Sequence, residues 1–316
     1  MKIIFLGSAH FAVPALEALI RSPYEVCCVV TQPDKKKGRD MHLAGTDILA
    51  SAKLAGLKVF QPQNINSTEA LNYLKSFSAD LLVIVAYGQI LSQEVLDIPK
   101  VIPINIHASL LPRYRGAAPI NWAIINGESS TGVSIIKVIR KMDAGPIIAQ
   151  KEVPINKDDD AITLEEKLRL LGAELLMAAL KDIENKTFKL IEQDEAQAVM
   201  APKLKKVNGY IDWARPASEI NNLVRGCLPW PGAFTYYKGK LLKIFKAEFA
   251  PDLNCKNKIQ SGEVAQITAS KNEIMVATVK GALAIEELQL EGGRRMTAKE
   301  FVHGHKIKAG DLFGKK

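Results

Sequence analysis

Residues 2–31 read KIIFLGSAHFAVPALEALIRSPYEVCCVVT, and this stretch decides the fold. Lys2–Leu6 is a short β-rich apolar run stopped by Gly7, and Ala12–Arg21 then places its apolar side chains at helical spacing, with Pro14 suited to a first helical turn. Val26–Thr31 is β-rich again. Strand, helix and strand in so short a span make a βαβ unit, whose helix must pack back over two parallel strands. Working outward, Asp47–Ala55 and Ser67–Phe77 repeat the helical spacing, and Leu81–Ala86 repeats the strand. Ser67-Thr68-Glu69 gives the later helix a capped start. The first half therefore predicts a Rossmann-like, mostly parallel α/β sheet that binds ligands beyond the carboxyl ends of its strands.

The chain is 316 residues long, about twice the usual domain size, so two apolar cores are expected. One helical pattern runs from Thr163 to Lys186, and the stretch Glu192–Lys206 is polar and without period. Beyond Gly209 come short β-rich runs broken by turns: Phe234–Tyr237, Leu241–Phe245, Ile274–Val279 and Leu283–Leu290. That spacing predicts a smaller OB-like β-barrel. The expected boundaries are a first domain over 1–190, a linker over 191–207 and a C-terminal domain over 208–316.

Hydrophobic residues make up 47% of the chain and charged residues 24%, which excludes a disordered protein. The first residues lack the long apolar region of a signal peptide, and no apolar run approaches the roughly 20 residues that span a bilayer. Of four cysteines, two are adjacent (Cys27, Cys28) and two stand alone (Cys227, Cys255), which suits neither a disulfide framework nor a zinc knuckle. A cytoplasmic protein without a membrane partner is the expectation. The charge is uneven: residues 201–316 hold 20 of the 42 Lys and Arg but only 11 of the 34 Asp and Glu. A near-neutral body carrying a basic C-terminal third suits either a polyanion such as RNA or a merely solvated basic domain.

The turn after the first strand lacks GxGxxG, and no P-loop occurs, so neither a dinucleotide nor an ATP site is supported. His10, His42 and His107 are scattered, and His303-Gly304-His305 has no Cys or carboxylate at ligand spacing, so no metal is expected. The informative segment is VIPINIHASLLPRYRG (101–116). Ile102, Ile104 and Ile106 alternate with Pro103, Asn105 and His107, so a strand here puts Asn105 and His107 on one face. That face is either the solvated side of an edge strand or an acyl-transfer site, where an amide holds a developing oxyanion and an imidazole moves a proton. Asp143, in a loop with Gly145 and Pro146, is either a turn residue or the carboxylate that supports such an imidazole.

Asn105-x-His107, the run Ser109–Ile120 and Asp143-x-Gly145 resemble the signature of the folate-dependent formyltransferases. Thr31–Asp34, Val85–Leu91, Asn208–Trp213 and Pro229-Trp230-Pro231 extend the resemblance along the whole chain, toward the branch of that family that acts on methionyl-tRNA. The resemblance implies transfer of the formyl group of 10-formyltetrahydrofolate to the α-amine of methionyl-initiator tRNA, by a cytoplasmic monomer with a formyltransferase fold and no metal. Carried over by position, Asn105, His107 and Asp143 are the catalytic trio. Gln89, Ile90 and Leu91 line the pterin pocket, and Ser109, Leu110, Leu111 and Pro112 border the folate site. Arg39 falls in the loop that meets the tRNA acceptor end, with Lys35, Lys36 and Lys37 beside it, and Lys203, Lys205 and Lys206 are further tRNA contacts. This loop is less basic after Arg39 than the family's and lacks its prolines, and Ala9 stands where the family usually has proline. A sugar-amine formyltransferase, which shares the first-domain signature, and a catalytically silent RNA-binding protein are the rival readings.

Overall fold

The computed structural model describes residues 1–37, 42–250, 260–268 and 273–314. They form two compact units, the first comprising Met1–Pro119, Ser130–Pro154 and Glu165–Pro202, the second Ile120–Ser129, Ile155–Leu164 and Lys203 onward. In chain order the first elements are β1 (Lys2–Gly7), α1 (Val13–Ile20), β2 (Glu25–Val30), β3 (Lys35–Lys37), β4 (His42–Ala44), α2 (Asp47–Leu54), β5 (Val59–Phe60) and α3 (Thr68–Lys75). There follow β6 (Leu81–Val85), α4 (Gln93–Leu96), β7 (Ile102–His107), α5 (Pro119–Ile125), β8 (Ser130–Lys137), β9 (Ile147–Pro154) and α6 (Ala161–Glu184).

In the first unit seven strands lie in the order β5-β2-β1-β6-β7-β8-β9. The pairings from β5 to β7 are parallel and the last two are antiparallel, so the sheet is mostly parallel as the βαβ pattern requires. β6 is buried throughout, the mark of a strand covered on both faces. Ile4, Leu6, Val30, Leu74, Leu82 and Ile84 belong to one core cluster between sheet and helices. The helices start where the sequence caps them: Ser67 Oγ accepts from Ala70 N at 3.2 Å, and Thr46 Oγ1 from Leu49 N at 3.1 Å. Chain winding reverses between β1 and β6, which places a crevice at the carboxyl end of β6.

The second unit contains α7 (Ala217–Gly226), β10 (Ala233–Tyr237), β11 (Lys240–Ala250), β12 (Val264–Thr268), β13 (Glu273–Ala277), β14 (Ala282–Leu290), β15 (Met296–Thr297) and α8 (Ala298–His305). The sheet order is β10-β11-β14-β13-β12, all antiparallel, with β15 beside β14. Its two edges are bridged by the segment after α8: Phe313 pairs with Tyr237 of β10 and Leu312 with Glu263, next to β12. The sheet thus closes into the small barrel that the turn spacing predicted. Among the described residues, no helix is long and apolar enough to cross a membrane.

Candidate active site

β7 lies between β6 and β8, in the interior of the sheet. The edge-strand reading of Asn105 and His107 therefore falls, and their shared face is an inner one. His107 is buried, 5% exposed, and its Nε2 sits 2.9 Å from the Tyr114 carbonyl oxygen. A carbonyl only accepts, so Nε2 carries a hydrogen and Nδ1 is the ring nitrogen left to face Asp143. Nδ1 lies 3.7 Å from Asp143 Oδ2. A proton taken up there produces an imidazolium next to a carboxylate, the arrangement that a proton carrier needs.

Asp143 comes from the loop between β8 and β9. Its φ of 49° is left-handed, uncommon for a residue with a side chain and frequent at sites where a group must be aimed. Its Oδ2 also accepts the Gly116 N–H at 2.9 Å. Gly145 makes the loop possible: a Cβ at this position would overlap the Lys137 carbonyl oxygen. Lys137 N meanwhile donates to Pro146 O at 2.9 Å, closing the neck of the loop.

Asn105 and Asp143 both line a cavity of about 240 Å³, together with Gln89, Ile90 and Leu91, just beyond the carboxyl end of β6. Ile90 and Met142, also in its lining, are 79% and 57% exposed, an apolar rim that a flat aromatic ligand would cover. The Gln89 side chain is turned away to accept the Ile65 N–H at 3.0 Å, and Ile90 O accepts from Asn66 Nδ2 at 2.9 Å. These bonds fix the backbone of the 89–91 wall.

The Ser109–Pro112 run is not in that lining. Ser109 Oγ donates to Arg113 O at 2.7 Å, Leu111 N donates to Ser134 Oγ at 3.1 Å, and Gln150 Nε2 donates to Leu111 O at 2.9 Å. Leu111 packs with Ile136 and Ile147. The run is a pinned shelf that follows His107 directly. Sequence reasoning missed Arg140 and Met142 in the cavity wall, and it missed the support behind Asp143. That support is Gln193, whose Nε2 donates to Asp143 O at 2.8 Å and to Gly145 O at 2.7 Å, and whose Oε1 accepts from Arg115. It belongs to a polar stretch without period, where no pattern marks a contact. The described Cys, His, Asp and Glu side chains form no group of three that could hold a metal ion.

Of the basic residues, Lys203, Lys205 and Lys206 are exposed in the second unit, and Lys35–Lys37 form a backbone hairpin with His42–Ala44. Arg39 lies outside the described residues.

Residues 1–180 match the family model for formyl transferase, and residues 203–306 match the model for its C-terminal domain. Methionyl-tRNA formyltransferase of Halothermothrix orenii is 47% identical over 318 positions, covering 99% of this chain and 100% of that protein. The chain belongs to the methionyl-tRNA formyltransferase family. A second relative in this family, from Caldanaerobacter subterraneus, is 42% identical over 99% of both chains. The fold extends beyond the family: an N-formyltransferase of Helicobacter canadensis, solved with folinic acid and dTDP-3-aminofucose, covers 94% of this chain and 100% of its own with a TM-score of 0.68 at 20% identity. In this formyltransferase chain Asn105 and His107 fall on β7, Ser109–Pro112 on the shelf after it and Asp143 on the loop between β8 and β9.

Proposed function

We propose that this chain transfers the formyl group of 10-formyltetrahydrofolate to the α-amine of methionyl-initiator tRNA, with Asn105, His107 and Asp143 as its catalytic residues. The observation that carries the reading is an amide and a carboxylate, Asn105 and Asp143, lining a cavity walled by Gln89–Leu91, with the His107 imidazole 3.7 Å behind the Asp143 carboxylate. The amine attacks the formyl carbon, a C–N bond forms, and the carbonyl oxygen takes up negative charge. Asn105 donates to this oxyanion, and His107, whose Nε2 hydrogen is held by Tyr114 O, stabilises it through the positive charge it gains when Nδ1 takes up a proton. Asp143, with His107 and water, receives the proton that the amine loses and returns one to N10 as the C–N10 bond breaks. The products are tetrahydrofolate and formylmethionyl-tRNA. The pterin occupies the cavity, with the exposed side chains of Ile90 and Met142 against its ring. Ser109–Pro112 border the folate from the shelf side.

The basic second unit supports the tRNA half of the reading. In the proposal, Lys203, Lys205 and Lys206, with Arg39 and Lys35–Lys37 of the first unit, meet tRNA phosphates, and the protein works as a monomer in the cytoplasm, where charged tRNA is found. Phosphate contacts release counterions, so affinity for Met-tRNA is expected to fall linearly with salt on a log–log plot, with a slope of about −0.7 to −0.9 per contact. Folate affinity should stay flat. Filter binding of Met-tRNA and fluorescence titration of folate across one salt series check both, and equal slopes would remove the assignment to phosphates. The decisive assay offers 10-formyltetrahydrofolate with charged initiator tRNA or with a nucleotide-linked amino sugar. Transfer to the sugar alone would replace this reading with the sugar-amine one.

A further inference from the structure

We infer that Gln193 is a positioning residue for Asp143, held in place by Arg115 and Glu195, an inference that rests on the formyl-transfer reading above. Gln193 is only 9% exposed. Its amide nitrogen ties the carbonyls of Asp143 (2.8 Å) and Gly145 (2.7 Å), which flank Ala144. Fixing both carbonyls fixes the two peptide planes, and with them the direction in which the left-handed Asp143 projects its carboxylate. Its Oε1 is occupied by Arg115, with Nε at 2.9 Å and Nη2 at 2.7 Å.

Arg115 is buried and adjoins Gly116, the residue whose N–H meets the Asp143 carboxylate. Its backbone is pinned to the same segment as Gln193: Arg115 N donates to Val199 O at 2.8 Å, and Ala201 N donates to Arg115 O at 2.7 Å. Glu195 completes the clamp, accepting from Arg115 Nη1 and Nη2 at 3.1 Å each and from Lys141 Nζ at 2.7 Å. Hydrogen bonds from Arg115 and Lys141 hold its carboxyl down to about 2. A lowered value stabilises the clamp above the ordinary carboxylate range, and that contribution disappears as pH falls toward about 2. At any working pH the clamp is therefore charged. Gln193 thus ties the 143–145 loop directly to the guanidinium of Arg115, the residue whose backbone precedes the Gly116 N–H on the Asp143 carboxylate.

Gln193→Glu tests this directly. It keeps an acceptor for Arg115 but turns an oxygen on the two carbonyls. The expected result is a turnover at least about tenfold lower, with KM for Met-tRNA and for 10-formyltetrahydrofolate within about twofold of the parent. Gly116 amide hydrogen exchange, read on the full chain without substrate, should become about tenfold faster. Parent-like turnover, or a loss confined to KM, overturns the positioning role. Should Gln193→Glu not fold, Glu195→Gln on the exposed end of the clamp takes its place; a faster Gly116 exchange there supports the inference and an unchanged one overturns it. A parent chain that leaves Met-tRNA unformylated overturns the formyl-transfer reading instead, and Gly116 exchange then decides the clamp by itself.

Discussion

The His107→Ala and Asn105→Ala variants are expected to turn over at least about a hundredfold more slowly than the parent, while folate affinity changes by less than about threefold. The split follows from the geometry. The cavity wall assigned to the pterin in the proposal is Gln89–Leu91, which is bonded to Ile65 and Asn66. In the proposed reaction Asn105 and His107 act only where charge develops, so their removal is expected to raise the barrier without loosening the ground state. Losing an oxyanion donor costs about 3 to 4 kcal/mol in comparable sites, which corresponds to a factor of 100 to 1,000. Asp143→Asn belongs to the same series, since an amide keeps the shape, and its pH–rate profile should lose a limb because an amide does not accept the proton. Single-turnover rates beside folate titration check all three. Parent-like turnover in His107→Ala would remove the histidine from the chemistry.

Gly145→Ala is expected to lower stability by at least about 3 kcal/mol and to abolish most activity in whatever remains folded. Most overpacked sites relax by moving a side chain. Here the obstacle is the Lys137 backbone carbonyl, in a residue whose N–H is bonded to Pro146 O, so relief requires opening the neck of the Asp143 loop. Opening it also draws Gly145 O away from Gln193. Gly304→Ala on α8 is the control. A Cβ there meets open space, and the change should stay within about 1 kcal/mol of the parent. Denaturant midpoints of the two variants decide the matter: equal midpoints would mean that the loop neck gives way easily.

Much of the first sheet was legible because parallel strands buried on both faces read as uninterrupted apolar runs. The predicted Lys2–Leu6, Val26–Thr31 and Leu81–Ala86 fall within a residue of β1, β2 and β6. Ser67 was legible as a cap because its hydroxyl has a local partner, the Ala70 N–H. The alternation Ile102–His107 put Asn105 and His107 on one face, and the structure brings Asp143 to within 3.7 Å of that histidine. Strand direction is not in the periodicity, and so the antiparallel turn of the sheet at β8 and β9 was silent. So was β12, with β11 running on to Ala250 where polar residues alternate outward. Gln193 could not be found from its neighbours, because its four partners come from residues 115, 143 and 145, far away in the chain. The membership of Ile120–Ser129 and Ile155–Leu164 in the second unit is equally non-local, since no break in composition marks them.

The bridge that Leu312 and Phe313 make between Glu263 and Tyr237 has a consequence for synthesis. On a ribosome, β10 to β14 leave the exit tunnel before the segment that covers Tyr237 and the β12 edge, and an uncovered edge is a template for another chain. The ring is complete only when residue 314 has emerged, since Gly314 N donates to Tyr236 O and Phe313 N to Gly262 O. Such long-range closure makes this barrel slow to form relative to the local βαβ units before it. Chains truncated short of Asp311 should therefore be captured by chaperones or proteases, and released chains that run through Gly314 should resist them.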